Sequence, residues 1–586
     1  MPNGKDRKLN RLLFALAAVL LILFSVSIFR HISYPLLWND EGDTAMFATR
    51  ILEYGFPKVH DGKNVLYVHP VRMDLGVNKF GMYTADAVLT YYMAVPGAWL
   101  AQMSEDIYTK TLLFRLPFAI MGLLGVLVFA LTASNFFEKK KPARPLFYAL
   151  YFLFALTSIS LALHLREARY YSPIVLFSAC IFYSYINHRL FGKLSFMLHT
   201  AVVAAMLLFI FHNFYPLYIV FIAFIGAYEL VEMAKKLRRE REQGRAFALP
   251  GIRDFRHFLP LVFSILTVIP FVIVFRTVEV ILDGAPAMGF SLAKYLENLY
   301  FTMSFFAKHE FLYLAIFTKA ALVLAILLNR PAGKRTSGSI SKRIIASNFL
   351  TFFFAVHVIA IAGVPYEFTR YFIVLLPVLY IILLLDASSV YAILEERGGS
   401  GRKWQRLFLI AAAGIFLFTA YGKAEDIKGR IYELTHQYRG PLDFIVAYVK
   451  ENHEKPEDLI IATNYEEASL MYYLGSKVII GYTWNNFEED MRETADILVY
   501  RSFWGGDHTR GLFYRRLMKK ADYEAVTFPV LDLPANNIPD LHYRIRHFYR
   551  TPIAEYEAGR LKIHIRRDNP TGGARQTAGP EPVFQR

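Results

Sequence analysis

The chain has 586 residues, 55% of them hydrophobic and 16% aromatic, with 51 Phe and 37 Tyr. Long apolar runs recur through the first 420 residues, which excludes an ordinary water-soluble enzyme and points to a polytopic membrane protein. The net charge of +16 sits in the loops between those runs, beside anionic lipid headgroups, and this argues against a nucleic-acid partner.

In chain order, the first apolar run covers 12–29 and lacks a small-residue cleavage site, so it reads as a retained anchor. Ten further spans are predicted at 111–131, 146–163, 173–187, 195–211, 216–231, 258–275, 311–328, 344–363, 371–386 and 405–421, giving about eleven transmembrane helices. The only cysteine, Cys180, lies within one of them, so no intrachain disulfide can form. Lys and Arg gather at the N-terminus and in every second loop after it, as in "EKKKPAR", "KKLRREREQGR" and "ERGGSGRKWQR". The alternate short loops "HLREARYYS", "HNFYP" and "GVPYEFTRY" are poor in them. The positive-inside rule then predicts a cytoplasmic N-terminus in a cell (inner) membrane and an extracytoplasmic C-terminal region.

The membrane part is read as residues 1–421, with a first large outer loop at 30–110. Within that loop the pattern predicts a helix from Glu41 to Tyr54, with Ala45, Ala48, Ile51 and Leu52 on one face, and a second from Thr84 to Met103. A smaller outer segment offers another interfacial helix around Leu292 to Phe306. Residues 422–567 shift to a charged and mixed composition, with short strands and helices alternating: "DLIIATN", "KVIIGY", "ADILVYRS", "YEAVTF" and "RLKIHIRR" as strands, "GPLDFIVAYVKEN" and "EEASLMYYLG" as helices. This predicts a small α/β domain with a largely parallel sheet. No Gly-rich nucleotide fingerprint follows any strand, so no cofactor is assigned. The tail 568–586 has a disordered composition.

Asp40, Glu41 and Asp43 stand where the first outer loop leaves the membrane. The simple reading makes Asp40 a helix cap. Two short outer loops supply complementary groups at the same depth. In "HLREARYYS", a helical turn would put His164, Glu167 and Tyr171 on one face and Arg166, Arg169 and Tyr170 on the next. In "PYEFTRY", Tyr366 offers an aromatic face, while Glu367 and Arg370 are three apart and would pair locally if exposed. Carboxylates, arginines and phenols converging on one mouth suit attack of an acceptor hydroxyl on a sugar carbon with loss of a phosphate. A carboxylate takes the hydroxyl proton, and guanidinium groups hold the phosphate. A lipid-borne donor would enter through the bilayer and need no nucleotide-binding domain.

Three stretches resemble the GT-C glycosyltransferases that use polyprenyl-phosphate sugars, a family that includes protein O-mannosyltransferases and lipid A aminoarabinose transferases. "WNDEGDTAMFATRILEYGFPKV" is similar to the family's first outer loop, "HLREARYYSPIVLF" to its second, and "EFTRYFIVLLPVLY" to its late span. The resemblance implies a membrane glycosyltransferase, hexosyl or pentosyl, with a polyprenyl-phosphate-linked donor and a protein or glycolipid (lipid A, lipopolysaccharide or other envelope glycan) acceptor. It implies Asp40 as base with Glu41 its neighbour, Glu167 as the acidic residue of the second loop, and Arg370 on the donor phosphate. Later in the first loop "HPVRMDLGVNKFGMYTADAV" matches the family only loosely, leaving Lys79 as a phosphate contact and His69 and Arg72 without a role. Some family members hold a divalent cation there. Glu41, His60, Asp61 and His69 could supply ligands, but their spacing follows no metal pattern. The competing readings are a transporter or flippase of lipid-linked sugars, which would place its polar groups at the midplane between repeats, and a scaffold, in which they would be dispersed.

Overall fold

The computed structural model describes residues 4–66, 75–85, 88–138, 141–243, 255–280, 282, 291–329, 338–364, 368–397, 399–480, 487–501, 508–532 and 559–567. All eleven predicted spans fall on helices. Helix α1 (Gly4–Phe29) leads to the outer-loop helices α2 (Asn39–Tyr54) and α3 (Leu89–Ala101), then α4 (Ile107–Ser134), α5 (Ala143–Thr157), the single-turn α6 (Ile159–His164) and α7 (Tyr171–Arg189). The series continues through α8 (Phe196–Phe211), α9 (Tyr215–Glu242), α10 (Leu259–Val274), α11 (Leu292–His309), α12 (Leu312–Asn329), α13 (Gly338–Ile361), α14 (Leu375–Glu395) and α15 (Gly399–Gly422). Among the described residues, seven helices are long and apolar enough to cross a membrane, or eight if the bent pair α11–α12 is one span. The protein is thus a polytopic helical membrane protein. The shorter α5 and α8 are apolar but fall below that length.

Two interruptions have side-chain causes. The span predicted at 146–163 breaks at Ser158, whose hydroxyl accepts the Leu161 N–H and donates to Glu310 at 2.7 Å. Glu310 lies at the corner between α11 and α12, where the chain turns by 91°. Buried there, its carboxylate also accepts from the Tyr380 hydroxyl at 2.7 Å and faces the Lys423 ammonium at 3.9 Å. The Glu310 carboxylate at the corner thus has a hydrogen bond on each oxygen and a buried cation facing it. Leu292, Leu296 and Tyr300 lie exposed on α11, in keeping with the predicted interfacial helix. Helices α4 and α7 pack closely through glycine: a Cβ on Gly125 would stand 2.8 Å from the Leu176 nitrogen.

The C-terminal region begins with α16 (Ala424–Thr435), which turns back onto the first span, where Arg430 donates to the Ser27 carbonyl. The α/β domain follows: α17 (Pro441–Asn452), β1 (Ile460–Thr463), α18 (Glu467–Leu474), β2 (Lys477–Ile479), α19 (Phe487–Asp490), β3 (Ile497–Val499), α20 (His508–Leu517), β4 (Tyr523–Leu531) and β5 (Arg560–Arg566). The sheet order is β2-β1-β3-β5-β4. Only β2-β1-β3 is parallel, with β5 antiparallel to both β3 and β4, so the sheet is mixed where a largely parallel one was expected. β4 is the last described strand before β5 and pairs with it antiparallel, and pattern alone does not give that pairing direction.

The outer loop and the α/β domain share one apolar core. Leu36, Leu37 and Phe47 of the loop and Phe114 of α4 pack in the same cluster as Leu442, Ile461, Met471 and Ile563. Hydrogen bonds stitch the seam. Ser469 donates to the Leu37 carbonyl at 2.7 Å, Tyr473 accepts the Leu37 N–H at 3.1 Å, and Asn64 bonds Ser476 and Val478 as an added strand would. Gly42 permits the closest approach: a Cβ there would lie 2.1 Å from the Ser469 hydroxyl. Of the predicted apolar face of α2, Ala45, Ala48 and Ile51 are buried in this core while Leu52 is exposed. Helix α3 begins at Leu89, later than predicted.

Candidate functional site

Helix α2 starts at Asn39, with Trp38 as its extended N-cap and no side-chain cap. Asp40 therefore lies inside the first turn and is not the cap, which overturns the simple reading. Its side chain remains 23% exposed and faces two guanidinium groups. Arg169 Nη2 stands 3.6 Å and Arg370 Nη2 3.7 Å from the same Oδ2. Both separations are ion pairs and too long for hydrogen bonds. Arg169 is steered by Nη1, which donates to the Asp40 carbonyl at 3.1 Å and the Thr44 hydroxyl at 3.3 Å. Burial works against its charge, but Asp40 and the phenols of Tyr171, Tyr91 and Tyr170 hold its proton affinity above the usual value.

Aromatic rings wall this pair of cations. Arg370 lies 3.8 Å from the Phe368 ring centre and 5.2 Å from that of Trp38, and Arg169 lies 5.6 Å from that of Tyr170. Tyr170 stacks on Phe214 at 4.7 Å, and Phe214 in turn on Tyr371 at 5.4 Å. Rings in this arrangement supply both cation–π stabilisation and a flat apolar wall.

Glu41 occupies a different environment. It is 0% exposed. Arg115 donates to it from both Nε and Nη2, and the Ala168 N–H donates to Oε1 at 2.8 Å. The rest of the Arg115 guanidinium is spent on the carbonyls of Ile32, Pro35 and Leu36. Glu41 thus differs from its expected place beside the reacting carboxylate: it is sealed, and it clamps α2, α4 and the second outer loop together. Arg115 was missed, although an arginine inside a predicted apolar span is itself a signal that a partner exists.

Residues 165–170 form turns and bends and not the predicted helical turn, yet His164, Glu167 and Tyr171 still come together, while Arg166 and Arg169 part company. His164 Nδ1 meets Glu167 at 2.8 Å, and the His164 and Tyr171 rings are 5.5 Å apart. Glu167 is buried; burial pushes its carboxyl up, His164 and Arg370 pull it down, and Glu41 pushes with burial. The His164 Nε2 side approaches the Thr369 hydroxyl at 3.4 Å, which links the second loop to the Arg370 turn. Arg166 points elsewhere, donating to the Tyr34 carbonyl at 3.3 Å. Lys79 sits exposed at the tip of a turn, with its ammonium over Phe80. Tyr366, Glu367, His69 and Arg72 lie outside the described residues, so the predicted Glu367–Arg370 pair does too; the ion pair seen for Arg370 is with Asp40.

Among the described residues, the candidate cation ligands Glu41, His60 and Asp61 do not form a set. Besides Glu41, Asp61 is taken by Arg50 at 2.6 Å and by the N–H groups of Lys63 and Asn64, while His60 accepts the Gly62 N–H. Among the described residues no three His, Cys, Asp or Glu side chains are grouped to hold a metal.

No protein-family model matches the chain, and no curated protein matches it. Among solved structures it is similar to ArnT from Cupriavidus metallidurans in the apo state, at 12% identity and a TM-score of 0.48 over 94% of this chain and 97% of that one. It is also similar to ArnT from the same organism bound to undecaprenyl phosphate, at 13% identity and a TM-score of 0.49 over 97% and 99%. The Archaeoglobus fulgidus oligosaccharyltransferase in complex with Zn and sulfate gives 14% identity and a TM-score of 0.43 over 80% and 62%.

Proposed function

We propose that the protein is a GT-C type membrane glycosyltransferase that moves a sugar from a polyprenyl-phosphate donor to an acceptor hydroxyl on the extracytoplasmic side. The observation that carries this reading is the meeting of Arg169 and Arg370 on Asp40 within a wall of aromatic rings. The three residues come from three separate outer segments, so their convergence is a property of the fold.

In the proposed reaction the acceptor oxygen attacks the anomeric carbon directly. Its proton passes to the Asp40 carboxylate, the new carbon–oxygen bond forms, and the bond to phosphate oxygen breaks, so that polyprenyl phosphate departs as an anion. Two guanidinium groups held by one carboxylate suit a phosphate that becomes more negative as it leaves. Transition-state charge of that kind repays donors fixed beforehand in a largely water-excluded place. The stacked series Tyr170, Phe214 and Tyr371 offers apolar surface for the isoprenoid or sugar ring. Glu41 and Glu167, both buried and partnered, serve to position the loops.

The transporter reading is not favoured. Asp40, Glu167, Arg169 and Arg370 gather on short segments at helix ends, whereas the mid-span carboxylate Asp386 is closed off by Lys319 at 2.9 Å and by Ser347. The test is to incubate the purified full-length protein with a panel of polyprenyl-phosphate sugars and envelope-derived acceptors, with no nucleotide sugar present. Release of polyprenyl phosphate coupled to a glycosylated product is expected. Movement of intact donor across a vesicle without product would replace this reading with the transporter.

A further inference from the structure

The turn that follows the carboxyl end of β1 meets the start of α2, one residue from Asp40. The contact runs through Asn39, which precedes Asp40. Asn39 Oδ1 accepts the backbone N–H of Glu466 at 3.1 Å, and Asn39 Nδ2 makes a long donation to Asp40 Oδ1 at 3.5 Å. One side chain thus touches both the membrane-mouth carboxylate and the turn that follows β1.

That turn is held in a costly conformation. Glu466 has φ +62°, a left-handed geometry that side-chain-bearing residues rarely adopt. A fully buried ionic cluster fixes it there. Arg501, after β3, donates to Glu466 from Nη1 and to Asp532 from Nε at 2.8 Å, and its backbone is bonded at both N–H and C=O by the Asn464 side chain. The result is a Glu466 N–H aimed at α2 and a Tyr465 phenol within electrostatic reach of both Asp40 and Arg370. Docking of the domain does not need this arrangement, because Ser469, Tyr473 and the shared apolar core already join the two parts. The link to Asp40 is what remains for Asn39 to do.

We propose that the α/β domain is part of the catalytic device: the Glu466 N–H, acting through Asn39 as a positioning residue, sets the orientation of Asp40. This rests on the reading of Asp40 as the base. In the native arrangement Asn39 turns an N–H toward Asp40 Oδ1, while Arg169 and Arg370 face Oδ2 of the same carboxylate. Asn39→Asp keeps an acceptor for Glu466 but replaces that donor with a like charge, which disfavours the ionised form of Asp40.

The test uses full-length protein in lipid nanodiscs. Infrared difference titration of wild type against Asp40→Asn reads the Asp40 carboxylate band without any substrate. In Asn39→Asp, measured against Asn39→Asp/Asp40→Asn, that band should titrate higher by about one pH unit or more, and in Asn39→Ala by less. The acidic limb of kcat/KM for sugar transfer should move with it, while the thermal midpoint of Asn39→Asp stays near wild type. A carboxylate that titrates identically in wild type and Asn39→Asp overturns the proposal and leaves Asn39 as an interface anchor. Full activity in Asp40→Asn would instead overturn the reading of Asp40 as base, and the positioning role would go with it.

Discussion

Arg115 meets Glu41 with two guanidinium nitrogens, Nε at 2.8 Å and Nη2 at 2.5 Å, with both side chains almost wholly out of solvent. An ion pair this buried contributes little net stability over an apolar replacement, but removing one partner strands the other. Glu41→Ala should therefore cost on the order of 3–5 kcal/mol, seen as a large drop in the thermal unfolding midpoint in detergent. Glu41→Gln, which keeps an acceptor for Arg115, should cost less. Equal midpoints for Glu41→Ala and wild type would remove the clamp from this account.

Asp40 is the group for which an amide cannot substitute. Asp40→Asn should lower transfer by about 10²–10⁴, because an amide accepts no proton at the moment of attack. Donor binding and thermal midpoint should stay close to wild type, since Asp40 caps nothing and is partly exposed. A variant that keeps more than about half of wild-type turnover would rule out Asp40 as base.

Arg370 is expected to hold the leaving phosphate. Arg370→Lys retains the charge but not the planar fork, so turnover and affinity for polyprenyl phosphate alone should both fall, on the order of tenfold. If neither Arg370→Lys nor Arg370→Ala changes that affinity, Arg370 serves only its ion pair with Asp40 and its stacking on Phe368.

Asp443, buried where α17 docks on the outer loop, accepts the N–H groups of Leu36 and Gly440, yet burial raises its carboxyl to about 7. An unfolded chain ionises the same group near 3.9. Between those values the folded protein binds more protons than the unfolded chain, so this group's contribution to stability falls as pH rises from about 4 to about 7 and is level above. The thermal midpoint should accordingly be higher near pH 5.5 than near pH 8, and Asp443→Asn should narrow that gap. A gap of the same size in the variant would assign it to other groups.

The alternation of basic loops predicts which side the site faces. In a Cys180→Ala background, a cysteine at Lys455, exposed in the α/β domain, should react with an impermeant thiol reagent in intact spheroplasts. One at Arg239, exposed near the end of α9, should react only after lysis. Labelling in the opposite order would reverse the orientation and remove the case for a flipped, lipid-linked donor.

The amino-acid sequence by itself was enough to place a helix at every apolar run, the amphipathic α2 and α11, and the five strands of the α/β domain. These are local matters: apolar length, periodicity and spacing within one turn determine them. It also marked Asp40, Arg169 and Arg370 as charges at one depth, because an ionised group at a membrane mouth calls for a partner. What it could not decide was who meets whom across long separations. Asp40 and Glu41 are neighbours in the chain, yet successive positions on the helix send one toward Arg169 and Arg370 and the other into a sealed clamp with Arg115. The antiparallel seating of β5 and the reach of Asn39 to Glu466, 427 positions along the chain, depend on a common apolar core that forms only when the outer loop and the α/β domain fold together. Spacing records neighbours along a helix or strand, and only packing in three dimensions brings a left-handed Glu466 to the start of α2.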